Sequence, residues 1–381
     1  MKIVAVHATP YSVPVDVPLL DHKFHMPFVL VRVSTDAGID GHGLCGGNNF
    51  VPSTARLIED RMGPAIVGED PRATERVWQL LYGRFNRRGM TGVWSSATSA
   101  LDIALWDIKA KACGLPIAQL LGGARAAAPA YVTFGVSEYS REKLAEAAAS
   151  LAQQGHRRLK MVVGGLKHMR AGTTGSAPSE ISYATIREDA RRVAAVREAV
   201  GEDVELMIDA NCLMTAAQAI TLCRLIEDFD VSWFEEPVLA NDRLALRDVR
   251  EKTRIPIAAG QNLGHLWAHR ELILEATVDI VQPNACNVGG FTELARVAAL
   301  ARAFNLPIAN GGGWPLHNLH AHAGLSNGGA VEFHWLAWKA GEIVFTDAPS
   351  PRDGSVSVPD RPGLGFEPRP DAELAEFRIA G

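Results

Sequence analysis

The chain has 381 residues, of which 47% are apolar, and it carries a formal net charge of −5 with acidic and basic residues interspersed. A chain of this length can bury a substantial core, so we expect one large α/β domain with a smaller companion and no extensive disorder. No basic stripe or polybasic run indicates binding to nucleic acid or to an anionic membrane surface. A small molecule is therefore the expected partner.

The cysteines are scattered without Cys-x-x-Cys spacing, which argues against a zinc site and against a disulfide framework. They are Cys45, Cys113, Cys212, Cys223 and Cys286. The N-terminal segment has no long apolar stretch with a cleavage site, and no apolar run of about 18 residues occurs. These features predict a cytoplasmic protein with reduced thiols.

Residues 1 to about 50 alternate apolar and polar side chains, as in VLVRVSTDAGIDGHG, which predicts an antiparallel meander. From about 53 to 121 the apolar residues recur every three or four positions, as in SSATSALDIALWDIKAKACGLPIAQLLGG. This spacing predicts helices that end at Gly-Gly. We therefore predict an α+β domain over residues 1–125, completed by the Pro- and Gly-rich segment from about 350 to 381.

Beyond residue 125, short apolar runs mostly alternate with amphipathic helical stretches. The runs are AYVTFG, RLKMVVGG, VELMIDAN, VSWFEEP, IPIAAGQ, VDIVQPN, LPIANGG and GAVEFHW. Eight such units predict a parallel (β/α)8-type barrel over residues 126–349, with the N-terminal α+β domain as a cap. The Gly/Ser/Thr-rich segment 164–182 falls at the end of the barrel where active sites form, so we expect it to act as a lid.

In such a barrel the reacting groups lie at the carboxyl ends of the strands. A single polar residue there is readily explained as a helix cap or a satisfied buried group, but their coincidence at successive strand ends predicts a functional site. The residues are Lys160, Asp209, Asn211, Glu235, Glu236, Gln261, Asn262, Asn284, Asn310 and Glu332.

Three of these side chains offer oxygen and follow one another at intervals of 26 residues: Asp209, Glu235 and Gln261. Oxygen ligands from separate strands, with positions left open for substrate and water, suit Mg²⁺. The alternative is a carboxylate cluster without metal, in which like-charge repulsion would raise one pKa sharply. We predict a Mg²⁺ site.

Several motifs together resemble the mandelate racemase and muconate lactonizing enzyme branch of the enolase superfamily, over essentially the whole chain. They are ALDIALWDIKAKACGLPIAQLLGG, LMIDAN, WFEEP, VDIVQPN with VGGFTEL, and VPDRPGLGFE. The resemblance implies that Mg²⁺ holds a substrate carboxylate while the proton on the adjacent carbon is removed and the enediolate is stabilised, which agrees with the electrostatics of a divalent ion. It also implies a homo-oligomer, from dimer to octamer.

The resemblance gives Lys160 a role. The family pattern on this strand is commonly Lys-x-Lys with the second lysine as base, whereas this chain has Lys-Met-Val, so Val162 stands in the place of the base. Burial and a nearby metal ion lower a lysine pKa, so we expect Lys160 either to act as a base or to bind the substrate carboxylate. A lysine that snorkels out of the barrel mouth is the structural alternative.

Other positions depart from the family pattern. Gln261 replaces the usual third glutamate ligand, which should weaken metal binding. Asn284 replaces the aspartate or lysine of strand six, and the strand-seven histidine is missing from residues 310–312, so the His-Asp dyad is absent. Glu332 matches the strand-eight glutamate that hydrogen-bonds the substrate carboxylate.

Histidines elsewhere are candidates for the missing acid. We favour His317, which follows the Gly-Gly-Gly-Trp-Pro segment, over His265, while His320 and His322 lie close to His317 in sequence. The alternative for each is a surface or packing histidine.

Two stretches of the capping domain, DHKFHMP and GLCGGNNF, fall where family members keep substrate-specificity loops. Their candidate substrate contacts are His22, Lys23, His25 and Asn48, with solvated loops as the alternative. The strand-end amides Asn211, Asn284 and Asn310 complete the predicted substrate-binding set.

We predict a lyase that removes the proton next to the carboxylate of a hydroxylated sugar acid and eliminates water, with Lys160 as base and His317 or His265 as acid. The alternative is an epimerase, racemase or cycloisomerase of a carboxylic acid that follows the same enolate route. A third hypothesis, motivated by the losses at Val162, Gln261, Asn284 and the strand-seven position, is a carboxylate-binding homologue without turnover.

Overall fold

The chain begins with an antiparallel sheet that forms the floor of the capping domain. The computed structural model describes residues 1–46, 50–85, 87–88, 91–136, 138–164 and 181–379. The sheet consists of β1 (Ile3–Asp16), β2 (Lys23–Thr35) and β3 (Gly41–Gly46). β1 and β2 pair from Ile3 with Thr35 to Asp16 with Lys23, as the alternating pattern predicts.

Helices cover one face of this sheet. They are α1 (Val51–Leu57), α2 (Gly63–Ile66), α3 (Thr74–Phe85), α4 (Val93–Cys113) and α5 (Ile117–Leu120), with a π-helical turn at Ile58–Met62. α4 packs directly on β3, because a Cβ at Gly43 would lie only 1.8 Å from the carbonyl oxygen of Ala100. Gly114 follows the last residue of α4 and terminates the helix in a left-handed backbone conformation, which suits glycine.

The barrel is a ring of parallel strands. They are β4 (Ala127–Phe134), β5 (Arg158–Val162), β6 (Glu205–Asp209), β7 (Val231–Glu235), β8 (Ile257–Ala259), β9 (Ile280–Val281) and β10 (Val331–His334), in the order β10-β4-β5-β6-β7-β8-β9. The predicted seventh unit carries a single bridge, Val281 with Ile308, rather than a longer strand. The Ala309 N–H donates to Val281 O at 3.1 Å and the Asn310 N–H to Ala330 O at 2.9 Å, which closes the ring. The predicted (β/α)8-type barrel is therefore confirmed.

Helices surround the barrel and bury its outer face. They are α6 (Arg141–Gln153), α7 (Tyr183–Val200), α8 (Ala216–Leu225), α9 (Arg243–Glu251), α10 (Leu266–Leu274), α11 (Gly290–Ala303), α12 (Pro315–Gly324) and α13 (Trp335–Val344). No helix in the described ranges is both long and apolar enough to cross a bilayer. Inside the ring, Tyr131, Met207, Trp233 and Ala258 form a small apolar layer that separates the barrel mouth from the opposite end.

The C-terminal segment touches both parts of the molecule. It comprises β11 (Phe345–Thr346), β12 (Ser355–Ser357), β13 (Glu367–Pro368) and α14 (Asp371–Leu374). β12 pairs antiparallel with the start of β4, and the Ile379 N–H donates to Pro10 O at 3.2 Å. The boundaries of the two domains stay a prediction.

Asp102 on α4 connects the capping domain to the barrel through hydrogen bonds. Its Oδ1 accepts from Thr292 Oγ1 at 2.6 Å and its Oδ2 from the Thr292 N–H at 3.0 Å. Close by, Ser99 Oγ accepts from the Gly289 N–H at 2.8 Å. Burial raises the pKa of Asp102 to about 7, although the hydrogen bonds from Thr292 act in the opposite direction.

This pKa predicts a pH-dependent stability. Because the pKa of Asp102 is higher in the folded than in the unfolded chain, its contribution to the free energy of unfolding is largest at low pH and is lost as pH rises through about 7. Asp102→Asn should therefore reduce the difference in unfolding free energy between pH 5 and pH 8, by up to about 3 kcal/mol. Urea unfolding of both proteins at the two pH values measures this difference.

Asp70→Asn is the control, since Arg72 lowers the pKa of Asp70 to about 2 and this carboxylate does not titrate in the same range. Equal pH dependence in the wild type and in Asp102→Asn would contradict the prediction.

Candidate active site

The centre of the site is the ammonium group of Lys160, which is wholly buried inside the barrel. Its Nζ lies 2.5 Å from Glu235 Oε1, 2.9 Å from Glu332 Oε1 and 3.3 Å from Asp209 Oδ2. Burial acts to lower the pKa of Lys160, but these carboxylates outweigh it and raise the pKa well above its usual value. This direction is opposite to the one expected from the sequence, and Lys160 does not snorkel to the surface.

The alternation of side chains along the strands brings these groups together. Leu159 and Met161 belong to the large core, and Lys160 between them points to the barrel axis. Asp209 and Glu235 pair in register at the ends of β6 and β7. Charged groups from separate strands therefore meet at the carboxyl end of the barrel.

Each carboxylate is held by further hydrogen bonds. The Asn211 N–H donates to Asp209 Oδ1 at 2.7 Å, and Gln282 Nε2 donates to Glu235 Oε2 at 2.7 Å. Burial raises the pKa of Asp209 to about 6 and that of Glu235 to about 8, against the attraction of Lys160.

Glu332 is held from both sides of its carboxylate. Thr133 Oγ1 donates to its Oε1 at 2.5 Å and the Gly313 N–H donates to its Oε2 at 2.6 Å. Burial acts to raise its pKa, but Lys160, His334 and the hydrogen bond from Thr133 outweigh burial and lower it.

The third predicted metal ligand, Gln261, is oriented by Glu236. Gln261 Nε2 donates to Glu236 Oε2 at 2.7 Å, and Asn241 Nδ2 donates to Glu236 Oε1 at 2.8 Å. The amide oxygen of Gln261 faces the other way, where a Cβ at Gly311 would lie 3.0 Å from it. No described residue donates a hydrogen bond to this oxygen.

The charges and donors fit a divalent cation. Asp209, Glu235, Glu236 and Glu332 are buried with one paired cation among the described residues, Lys160, so the cluster carries a formal charge of −3. No three histidine, cysteine, aspartate or glutamate side chains in the described ranges are arranged as a metal site. The predicted set instead combines two carboxylates with an amide oxygen, and oxygen donors of this kind suit Mg²⁺.

The amides of Asn284 and Asn310 hold the glycine segment 311–313. Asn284 Nδ2 donates to Gly311 O at 2.6 Å, while its Oδ1 accepts from Asn318 Nδ2 at 3.0 Å. Asn310 Nδ2 donates to Gly311 O at 2.9 Å, and its Oδ1 accepts from the Glu332 N–H at 3.0 Å. Both side chains are fully buried and thus shape the mouth of the barrel.

The structure does not bring His317 to the carboxylate cluster. His317 is fully buried on α12, with ring centres 5.7 Å from Phe345 and 5.4 Å from Phe366, and neither ring nitrogen has a hydrogen-bond partner among the described residues. Burial lowers its pKa to about 3. His320, on the same helix, donates from its Nε2 to Leu364 O at 2.9 Å.

His265 lies just before α10, against the capping domain. Its ring packs at 3.8 Å from Trp267 and 5.5 Å from Trp78, and its Nδ1 lies 3.2 Å from Glu293 Oε1. Burial lowers its pKa to about 4. Among the described contacts, none joins His265 to Lys160 or to the carboxylates around it.

The candidate contacts of the capping domain are exposed. His22 Nε2 lies 3.1 Å from Glu138 Oε2, Lys23 Nζ lies 3.2 Å from Asp16 Oδ2, and His25 Nδ1 lies 3.5 Å from Ser12 Oγ. Asn48 and residues 165–180 of the predicted lid fall outside the described residues.

Two cavities adjoin the cluster. The first cavity, of about 370 Å³, reaches the barrel mouth at Thr133, Val162, Asn211 and His334. The rest of its lining is mostly apolar and comes from the capping domain, α6 and α13, with polar side chains at Tyr139, Glu146, Ser150 and Gln154. Asn211, which the sequence predicts as a substrate contact, lines the first cavity, whereas Asn284 and Asn310 line neither cavity. Thr133 and His334 were missed by the sequence analysis, although each lies two residues beyond an inward-facing side chain.

The second cavity, of about 420 Å³, lies between the capping domain and the ends of the later strands. Hydroxyl and amide side chains contribute much of its lining. They are Thr54, Ser95, Ser96, Asn262 and Asn287.

The chain is similar to known proteins over its whole length. The N-terminal domain of the mandelate racemase/muconate lactonizing enzyme family matches residues 2–122, and the domain described as enolase C-terminal domain-like matches residues 143–372. The D-galactarolactone cycloisomerase of Agrobacterium fabrum is 32% identical, covering 95% of this chain and 97% of that protein. A D-galactonate dehydratase family member of Streptomyces bingchenggensis is also 32% identical, covering 89% and 87%.

A solved structure supports the same relationship. The crystal structure of a racemase from Streptomyces coelicolor A3(2) with bound magnesium superposes with a TM-score of 0.87 at 28% identity, covering 99% of this chain and 100% of that one. The barrel, its cap and the acidic strand ends agree with these similarities. The chain belongs to the mandelate racemase/muconate lactonizing enzyme branch of the enolase superfamily.

Proposed function

We propose that this protein is a sugar-acid dehydratase, which removes the proton α to a carboxylate with the assistance of Mg²⁺ and eliminates water from the adjacent carbon. The observation that carries the proposal is the buried ammonium of Lys160 among Glu235, Glu332 and Asp209 at the carboxyl end of a barrel of this family. The relatives at similar identity include both dehydratases and cycloisomerases.

Lys160 is proposed to remain an ammonium and to bind the carboxylate of the substrate. Its contacts with Glu235, Glu332 and Asp209 support this role over that of a base, since these carboxylates stabilise the charged form of the amine. A fixed positive charge in a buried site stabilises the negative charge that develops on the carboxylate oxygens as the α-proton leaves. Glu332, held in place by Thr133 and the Gly313 N–H, orients Lys160.

Asp209, Glu235 and Gln261 are proposed to hold Mg²⁺. When bound, Mg²⁺ supplies positive charge that offsets the acidic excess of the cluster and polarises the substrate carboxylate. The oxygen of Gln261 without a described donor supports its inclusion, because Glu236 fixes the amide in the orientation that presents this oxygen.

The second cavity supports a hydroxylated substrate. Its hydroxyl and amide side chains are hydrogen-bond donors and acceptors for the hydroxyl groups of a sugar acid. An apolar acid would leave them unpaired, which costs free energy.

A cycloisomerase is the second candidate function, favoured by the similarity to the D-galactarolactone cycloisomerase over almost the full length of both chains. The two reactions share removal of the α-proton. They differ in whether the departing oxygen leaves as water or stays tethered to the product.

Proton NMR in D₂O tests the proposal. With Mg²⁺ and a pool of D-galactonate, D-arabinonate, D-mannonate and galactarate, the wild type should show exchange of the α-proton and new 2-keto-3-deoxy signals. Lys160→Met, which removes the charge with little loss of volume, should lower both rates at least about 100-fold.

Lys252→Met is the control, because Lys252 lies at the surface and pairs with Asp248. Exchange without loss of water would indicate an epimerase, and an isomeric product that retains every oxygen would indicate a cycloisomerase. Absence of exchange with every acid in the pool would contradict the proposed dehydratase. Circular dichroism verifies that the variants fold.

Isothermal titration with Mg²⁺ tests the metal ligands. Gln261→Glu adds a third carboxylate to the set, so it should tighten Mg²⁺ binding by about tenfold or more. Gln119→Glu adds the same charge at an exposed position on α5 and should leave the affinity unchanged. Equal affinity in the wild type and in Gln261→Glu would exclude Gln261 as a ligand.

His317→Leu separates catalysis from packing. Because the pKa of His317 is lower in the folded than in the unfolded chain, its contribution to the free energy of unfolding is lost as pH falls below about 6.5. The variant should lose less stability between pH 7 and pH 5, by up to about 2 kcal/mol, and should keep its turnover within about twofold. A loss of turnover of about 100-fold or more would instead support His317 as the catalytic acid.

A further inference from the structure

We propose that His334 is the acid–base residue of this reaction, which takes the α-proton of the substrate and returns it to the departing hydroxyl group. The inference rests on the proposed function and deepens it, since no described contact joins His317 or His265, the acids predicted from the sequence, to the carboxylate cluster.

His334 faces the barrel mouth. It follows Glu332 by two residues on β10, and side chains two apart on a strand share a face. Glu332 contacts Lys160 at 2.9 Å, so His334 lies on the same face, one layer nearer the mouth. It lines the first cavity together with Thr133, Val162 and Asn211.

The strand register places His334 in one row with Lys160. His334 pairs with Thr133, and Thr133 pairs with Lys160 on the next strand. Because neighbouring strands lie about 4.8 Å apart, the Cα atoms of His334 and Lys160 are separated by about 10 Å. A substrate whose carboxylate binds Lys160 therefore has room to direct its α-carbon towards the imidazole ring.

The ring of His334 is free to exchange a proton. It is half-buried, and no described residue forms a hydrogen bond with either of its nitrogens. Burial lowers its pKa, Glu332 acts to raise it and Lys160 acts to lower it, so the ring is neutral at pH 7 and carries a lone pair.

The other titratable side chains that line the first cavity are less suited to act as the acid–base residue. Tyr139 donates its hydroxyl hydrogen to Pro18 O, and burial raises its pKa to about 12. Glu146 lies on α6, exposed and outside the barrel. Val162, Thr133 and Asn211 are neither acids nor bases in this pH range, which leaves His334 as the described base on the barrel side of the cavity.

One residue suffices for the chemistry. The imidazole nitrogen takes the proton from C2, and the C–H electron pair moves towards the carboxylate. The C2=C3 bond then forms as the C3–O bond breaks, and the imidazolium gives its proton to the departing hydroxide, which leaves as water. The enol product takes a proton from solvent at C3 and releases its O2 proton to solvent, which gives the 2-keto-3-deoxy acid, so no oxidant or reductant is needed.

The test compares His334→Asn with the wild type in D₂O, using the acid of the pool that the wild type turns over. We expect both the exchange of the α-proton and the loss of water to fall at least about 100-fold. Titration calorimetry of the same acid with Mg²⁺ present should give an affinity within about threefold of the wild type. His334→Gln is the second variant, in case His334→Asn fails to fold.

His156→Asn is the matched control. His156 is buried at the opposite end of the barrel, before β5, with its ring centre 5.9 Å from that of Trp338. The variant His156→Asn should leave the rates of α-proton exchange and of water elimination unchanged. Turnover of His334→Ala should rise when 2-methylimidazole is added, a rescue that a purely structural role of His334 would not give.

The outcomes separate the two proposals. Persistent exchange of the α-proton in His334→Asn and His334→Gln, with an active wild type, would overturn the role of His334 and leave the proposed function standing. A wild type that neither exchanges nor dehydrates any of the acids would overturn the proposed function and the role of His334 with it. Loss of both rates with retained binding and rescue by 2-methylimidazole would support both.

Discussion

The site depends on one constraint, the burial of an ammonium group inside a closed ring of strands. Moving a charge out of water is costly, and the cost is offset only when the charge is paired and its partners are themselves hydrogen-bonded. Lys160 meets this condition through three carboxylates, each of which is fixed by a further donor such as Gln282, Thr133 or the Asn211 N–H. Removal of Lys160 would leave these carboxylates without a paired cation among the described residues, so the site depends on this one ammonium group.

The same arrangement leaves the cluster short of positive charge. One ammonium cannot balance four buried carboxylates, and burial, together with repulsion from the neighbouring carboxylates, raises the pKa values of Asp209 and Glu235. Such a site favours a cation and, beside it, an anionic substrate group, which together approach neutrality. The electrostatics of the cluster and the proposed chemistry therefore follow from the same residues.

Much of the fold and part of the site could be predicted from the sequence. Period-two strands, helical spacing and eight repeated units indicated the capped barrel, and the strand ends indicated Lys160 and Glu332 as site residues. The direction of the Lys160 pKa could not be predicted, because it depends on how closely three carboxylates approach one nitrogen. The surroundings of His317 could not be predicted either, because proximity in sequence to the glycine segment does not determine which way α12 presents its side chains. His334 was overlooked, although the parity that places Glu332 inside the barrel also applies two residues later.

The glycine segment has a consequence for the evolution of this site. A Cβ at Gly311 would lie 3.0 Å from Gln261 Oε1 and from Gln282 Nε2, and a Cβ at Gly312 would lie 3.1 Å from Asn284 Nδ2. A histidine introduced at either position would displace amides that hold Glu235, Glu236 or the segment itself. A second base here therefore requires these amides to move by a few tenths of an ångström, so the residues at 261, 282 and 284 influence which activities are accessible from this chain.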